Sequence, residues 1–205
     1  MKICSETLPA ESYTLAITPR SNTCTLAVFL RGDTVLQETE LGPPDQRQEV
    51  VVELPRANDY RFTITGELDL QLSPGIPIAI EASEASPAAI HGSGPLYFYV
   101  PRGATRLVMK IEGTISIAVP RHNVLTLNPD DADPKSGYVV VPVPGDAAGT
   151  LWHLTADTHG SIALLNTPPL LHLHRDRFLA LREVSQSDGL TTVTRQEAEA
   201  GRWKP

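Results

Sequence analysis

The chain has 205 residues and a mass of 22.2 kDa, enough for one large β domain or two small ones. Its 17 Lys and Arg against 24 Asp and Glu leave a net charge of -7, which excludes a chain-wide basic surface for phosphate backbones and with it a general nucleic-acid binder. Hydrophobic residues at 41% can furnish a core, the 18 prolines leave little room for long helices, and no apolar run reaches the ~18 residues of a membrane-spanning helix.

Met1-Lys2-Ile3-Cys4 is followed by Glu6, Pro9, Glu11 and Ser12 and not by an apolar stretch, so the chain as given opens without a signal peptide. The expectation is an extracellular or periplasmic protein if a leader has been removed, and a cytosolic one otherwise. Cys4 and Cys24 fit no metal spacing and no CxxC pair; they are either two separate thiols or one disulfide in an oxidising compartment.

Period-two alternation then recurs along the chain. Val50, Val52 and Leu54 alternate with Glu49, Val51 and Glu53; Tyr60, Phe62 and Ile64 with Arg61, Thr63 and Thr65; Leu68, Leu70 and Leu72 with Asp69 and Gln71. Ile76, Ile78 and Ile80 follow, then Leu107, Met109 and Ile111, then Ile115, Ile117 and Val119, and finally Val139, Val141 and Val143. Each set predicts a strand with one buried face and one wet face, as antiparallel sheets allow. Arg31-Gly32-Asp33, Gly42-Pro43-Pro44-Asp45 and Pro74-Gly75 supply turns between them. Short strands at this spacing predict an all-β chain with little helix, arranged as two tandem antiparallel β-sandwich modules of jelly-roll or immunoglobulin-like type. The stretch from Glu81 to Pro95, rich in Ala, Ser, Gly and Pro, suggests the boundary. The expected division is residues 1–82, residues 83–184 and a polar tail over 185–205. Residues 170–188 are free of Gly and Pro and could form a helix, but Arg175-Asp176-Arg177 reads more readily as a turn between two short strands.

Several segments of the second half carry a resemblance: Leu96-Tyr97-Phe98-Tyr99-Val100-Pro101-Arg102-Gly103, Leu151-Trp152-His153-Leu154, Pro168-Pro169 and Arg182-Glu183-Val184. Together they resemble a bacterial exocellular accessory region, a β-sandwich of galactose-binding-like or jelly-roll type. Such regions occur in secreted or surface proteins, are sometimes attached to glycoside hydrolases, and often have no assigned activity. The resemblance covers residues 80–184 and implies an extracytoplasmic, non-catalytic module. His172-Leu173-His174 departs from it, because similar regions carry small or hydroxylated residues there.

Three sets of residues could carry chemistry. Aromatic faces stack on the apolar faces of sugar rings, and Tyr97 and Tyr99, opposite in phase to Leu96, Phe98 and Val100, are the candidates for an exposed pair. Trp203 on the tail is a weaker one, and Trp152 beside Leu154 belongs in the core. His172 and His174, two residues apart on a strand, could share a metal with His153 as third ligand, or simply lie on a wet strand. Asp130, Asp131 and Asp133 crowd one loop and could hold calcium, although Pro134 and Lys135 fit no EF-hand; the alternative is a solvated turn. No nucleophile elbow, P-loop, dinucleotide motif or facing carboxylate pair is present, so an independent enzyme has little support.

The sequence is therefore read as a non-catalytic accessory or binding module, carbohydrate-related, without a cofactor unless calcium or zinc fills one of those two sites. Its expected partner is a polysaccharide or a neighbouring domain or protomer, with no nucleic acid and no membrane insertion. A structural or protein-interaction sandwich is the alternative, and a metal-dependent enzyme built on the strand histidines a second one.

Overall fold

A computed structural model describes residues 2–8, 12–22, 24–30, 35–55, 58–65, 68–72, 79–91, 94–156, 159–173, 175 and 182–190. Within these residues the chain is all-β and antiparallel. The first strands are β1 (Lys2–Leu8), β2 (Ser12–Pro19), β3 (Thr25–Leu30), β4 (Val35–Glu40), β5 (Gln48–Glu53), β6 (Asn58–Thr65), β7 (Leu68–Leu72) and β8 (Ala79–Glu81). They are followed by β9 (Ala88–His91), β10 (Leu96–Val100), β11 (Arg106–Glu112), β12 (Ile115–Ala118), β13 (Val124–Leu127), β14 (Val139–Pro142), β15 (Thr150–Ala156), β16 (His159–Leu164) and β17 (Leu170–His172). Alternation decides their faces. In β11, Leu107, Met109 and Ile111 are buried while Arg106, Lys110 and Glu112 are exposed, and in β5 Val50 and Val52 are buried while Val51 is exposed.

A ten-stranded sheet in the order β13-β12-β15-β10-β17-β8-β1-β6-β3-β4 forms one layer. Two smaller sheets, β14-β11-β16-β9 and β5-β2-β7, form the other. The larger buried cluster joins Phe98, Trp152, Leu154, Ile115 and Leu171 to Leu107, Met109 and Ile162; a second joins Val28, Leu26 and Phe62 to Leu15, Ile17 and Val52. In the ladders Phe62 is opposite Ile3, Ile3 opposite Ile80, and Ile80 opposite Leu171. Opposed residues share a face, so both clusters lie on one side of the large sheet; on its other side Ala79, Tyr99 and His172 are buried as well.

The pairing scheme occurs twice. The ladders β1–β6, β6–β3, β3–β4, β2–β5, β2–β7 and β1–β8 recur as β10–β15, β15–β12, β12–β13, β11–β14, β11–β16 and β10–β17. The large sheet accordingly reads the same from both edges. An approximate twofold axis runs through its middle, where β8 and β17 pair through Ala79–His172, Ile80–Leu171 and Glu81–Leu170. Among the described strands, β9 on β16 has no counterpart in the first half.

One local expectation changes. Residues 170–188 begin with the short strand β17 but end in a helix, α1 (Arg182–Asp188), where a second strand was expected. Gly189 in the left-handed region (φ 65°) and a bond from the Leu190 amide to the Ser185 carbonyl at 2.9 Å terminate that helix. The ladders also separate the two cysteines. Cys4 is opposite Arg61, Arg61 is opposite Phe29, and Cys24 lies five residues back along that strand. The offset is about 10 Å across the sheet and about 17 Å along it, well beyond the ~6 Å span of a disulfide. The Cys24 thiol is buried and sits 3.3 Å from the Ser21 hydroxyl, whereas the Cys4 side chain is outside the described residues.

Candidate functional site

The outer face of the large sheet carries four of the residues singled out above, Tyr97, Tyr99, His153 and His172. Tyr97 in β10 is opposite His153 in β15 on one side and His172 in β17 on the other. His153 is opposite Ala118, and Ala118 opposite Val124, so these residues form one row across five strands. Their inward neighbours Phe98, Trp152 and Ile117 are fully buried, which turns the row to the outside. Tyr97 and His153 are half-buried, with ring centroids 5.7 Å apart and planes tilted by 55°. Beside them runs a second row, in which Thr155 is opposite Ser116 and Ser116 opposite Thr126. Thr126 is exposed and the other two half-buried, and none of the three hydroxyls bonds to a described residue.

Tyr99 lies two residues beyond Tyr97 and on the same face, but it is not exposed. Only 3% of it is accessible, and its hydroxyl donates to Asp188 Oδ2 at 2.8 Å, so the expected stacking pair reduces to Tyr97 alone. Asp188 ends α1 and is itself buried; its Oδ2 also accepts the Arg102 amide at 2.7 Å, and its Oδ1 the Ser187 hydroxyl at 3.0 Å. Burial pushes this carboxyl up, but the Arg102 amide, the Tyr99 and Ser187 hydroxyls and the Arg102 charge together hold it below the usual carboxylate range. The Tyr99 phenol is raised, first by burial and then by its bond to Asp188 and the charge there. Helix α1 is thereby latched over the β10 end of the outer face.

His172 is 1% exposed, and burial pushes its imidazole down to about 4. It keeps a further interaction within the fold. Strand β17 stops at His172, Leu173 is exposed, and His174 lies outside the described residues. His153 is two strand spacings from His172, about 10 Å, with Tyr97 between them. Among the described residues no group of three or more His, Cys, Asp or Glu side chains is placed to hold a metal ion.

The three loop aspartates are exposed, and Asp131 and Asp133 are occupied with their own backbone. A 3-10 turn over Pro129–Asp131 begins where Asp131 Oδ2 accepts the Asn128 amide at 2.7 Å. Asp133 Oδ1 accepts the amides of Lys135 and Ser136 at 2.8 and 3.0 Å, and the Ser136 and Lys135 bonds hold that carboxyl below its ordinary range. Asp130 is exposed on the same turn. Trp203 lies outside the described residues. Trp152 is fully buried; it packs on Phe98 with centroids 6.2 Å apart and donates its indole N–H to the Ala147 carbonyl at 3.0 Å.

The hydroxyl row and the Asp188 latch were missed in the sequence. One signal was there to be read: β10, β12, β13 and β15 contain no Asp, Glu, Lys or Arg, in a chain that is 20% charged. No protein-family model and no curated protein matches the chain.

Proposed function

We propose that this chain is a non-catalytic binding module for carbohydrate, serving as an accessory unit of an extracytoplasmic bacterial protein. The observation that carries the reading is Tyr97, half-exposed on an outer sheet face with its ring against His153. A phenol ring held by a neighbouring ring loses little rotamer freedom on binding and offers an apolar surface to the C–H face of a sugar, while the imidazole supplies a polar edge. The core on the other side of the sheet does not require an aromatic at this position, so the residue is available to a ligand. The resemblance of residues 80–184 to exocellular accessory sandwiches points the same way.

Retardation of the purified protein in native gels containing soluble polysaccharides tests the reading. At least one polymer should retard the wild type, and Tyr97→Ala, with an unchanged thermal midpoint, should weaken that retardation roughly tenfold, as removal of a stacking ring does. A second reading is favoured by Val124, 61% exposed in the same row: the face docks on a protein surface. In that case Tyr97→Ala would change assembly in sedimentation and leave every polysaccharide without effect.

A further inference from the structure

The proposed binding face differs in chemical character from its twofold counterpart in the first half. Its four strands β10, β15, β12 and β13 are the twofold counterparts of β1, β6, β3 and β4. The first-half strands carry Lys2, Glu6, Glu38, Glu40, Asp59 and Arg61. The second-half set carries no formally charged residue, although the same scaffold tolerates them in the first half. The difference is therefore one of surface chemistry and not of folding.

What the second-half face does carry is hydroxyl groups with no partner among the described residues. Ser116, Thr126 and Thr155 run in a row beside Tyr97 and His153, and their hydroxyls bond to no described residue. Each can donate one hydrogen bond and accept two, and His153 can do either according to its tautomer. From β10 to β13 the platform spans three strand spacings, about 14 Å. A carboxylate or sulfate lying on this platform would be stripped of water with no Lys or Arg on these four strands to offset the loss, which is costly. It would also approach a chain whose net charge is -7. A neutral, polyhydroxylated chain meets neither penalty and can exchange hydrogen bonds with all three hydroxyls.

We infer that the ligand of this face is an uncharged glycan, stacked on Tyr97 and read by the hydroxyls of Ser116, Thr126 and Thr155. This inference rests on the binding reading given above, and it names the class of ligand and three specificity-determining residues.

The test compares a neutral polysaccharide with its carboxymethylated form in the same native gels, using the full chain and the variants Tyr97→Ala, Ser116→Ala and Thr126→Val. The neutral polymers should retard the wild type, and carboxymethylation should weaken retardation about tenfold or more. Ser116→Ala and Thr126→Val should each weaken neutral-polymer binding about 2- to 10-fold, the loss expected for one hydrogen bond, while the thermal midpoint is unchanged. Tyr97-dependent retention of the carboxymethylated polymer, or hydroxyl variants that bind like the wild type, would overturn the neutral-glycan inference and leave the binding reading standing. Retention of no polymer in either form would remove the binding reading itself.

Discussion

His172→Leu changes a buried imidazole without opening the sheet, and its consequence is a pH dependence. The side chain would titrate near 6.5 in the unfolded chain and titrates at about 4 in the folded one, because burial disfavours the imidazolium. Between those two values the unfolded chain holds a proton that the folded chain does not. Stability is therefore complete above the unfolded value and falls as pH falls through the window, by about 1.4 kcal/mol per unit and about 3 kcal/mol in all. The carboxylates with lowered values, Asp133, Asp188 and the exposed Asp146, whose Oδ1 bonds His122 Nε2 at 2.9 Å, act in the same direction but below the ordinary carboxylate range near 4, so the upper part of the window isolates the histidine. Urea unfolding midpoints measured between about pH 7 and pH 4.5 should slope downward in the wild type and flatten in His172→Leu. The substitution also shifts absolute stability by removing the imidazole from its interaction within the fold, but the slope is independent of that shift. Parallel losses of stability in the two proteins across this window would refute the argument.

Two further outcomes follow from the packing. Asp188→Ala strands the Tyr99 hydroxyl and the Arg102 amide and should cost about 2–4 kcal/mol, with amide exchange rising first in α1; Tyr99→Phe should cost less, because the Arg102 amide keeps its acceptor. Gly103 and Gly113 share φ 78°, but a Cβ at Gly103 meets open space whereas one at Gly113 would sit 2.7 Å from the His159 carbonyl oxygen. Gly103→Ala should therefore lose only the ~1–2 kcal/mol of left-handed strain, and Gly113→Ala a further ~1–3 kcal/mol for the clash, read as unequal drops in thermal midpoint.

Most of the fold was legible because burial on one face of a strand leaves a period of two in the sequence. Val50 and Val52, Leu107 to Ile111 and Ile115 to Ile117 all announce their inward faces this way. Helix α1 escaped for the opposite reason. Seven residues are too few for a helical period to show, and what fixes them is the bond from Asp188 to Tyr99, 89 residues away. The candidate site divides along the same line. Alternation put Tyr97 and Tyr99 on the outer face correctly, but exposure on that face depends on what crosses it, and the partner of Tyr99 is not a neighbour in sequence. The rows that align Tyr97 with His153 and Thr155 with Ser116 depend on strand order and register, which no local pattern encodes.

The pairing of β8 with β17 also bears on how the chain is made. All strands of the first half's own ladders have left the ribosome once β8 is out, yet β8 waits for a neighbour that lies roughly ninety residues later. At ~5–20 residues per second that is an interval of roughly 5–20 s in which the edge of β8 that faces β17 stays unfilled. A second nascent chain at the same stage offers an identical edge, and antiparallel self-pairing there would resemble the native junction. Only three residues of β8 take part in that junction, so the edge is too short to hold such a pair for long. Brevity at the centre of the sheet thus guards the growing polypeptide against joining the wrong copy of itself.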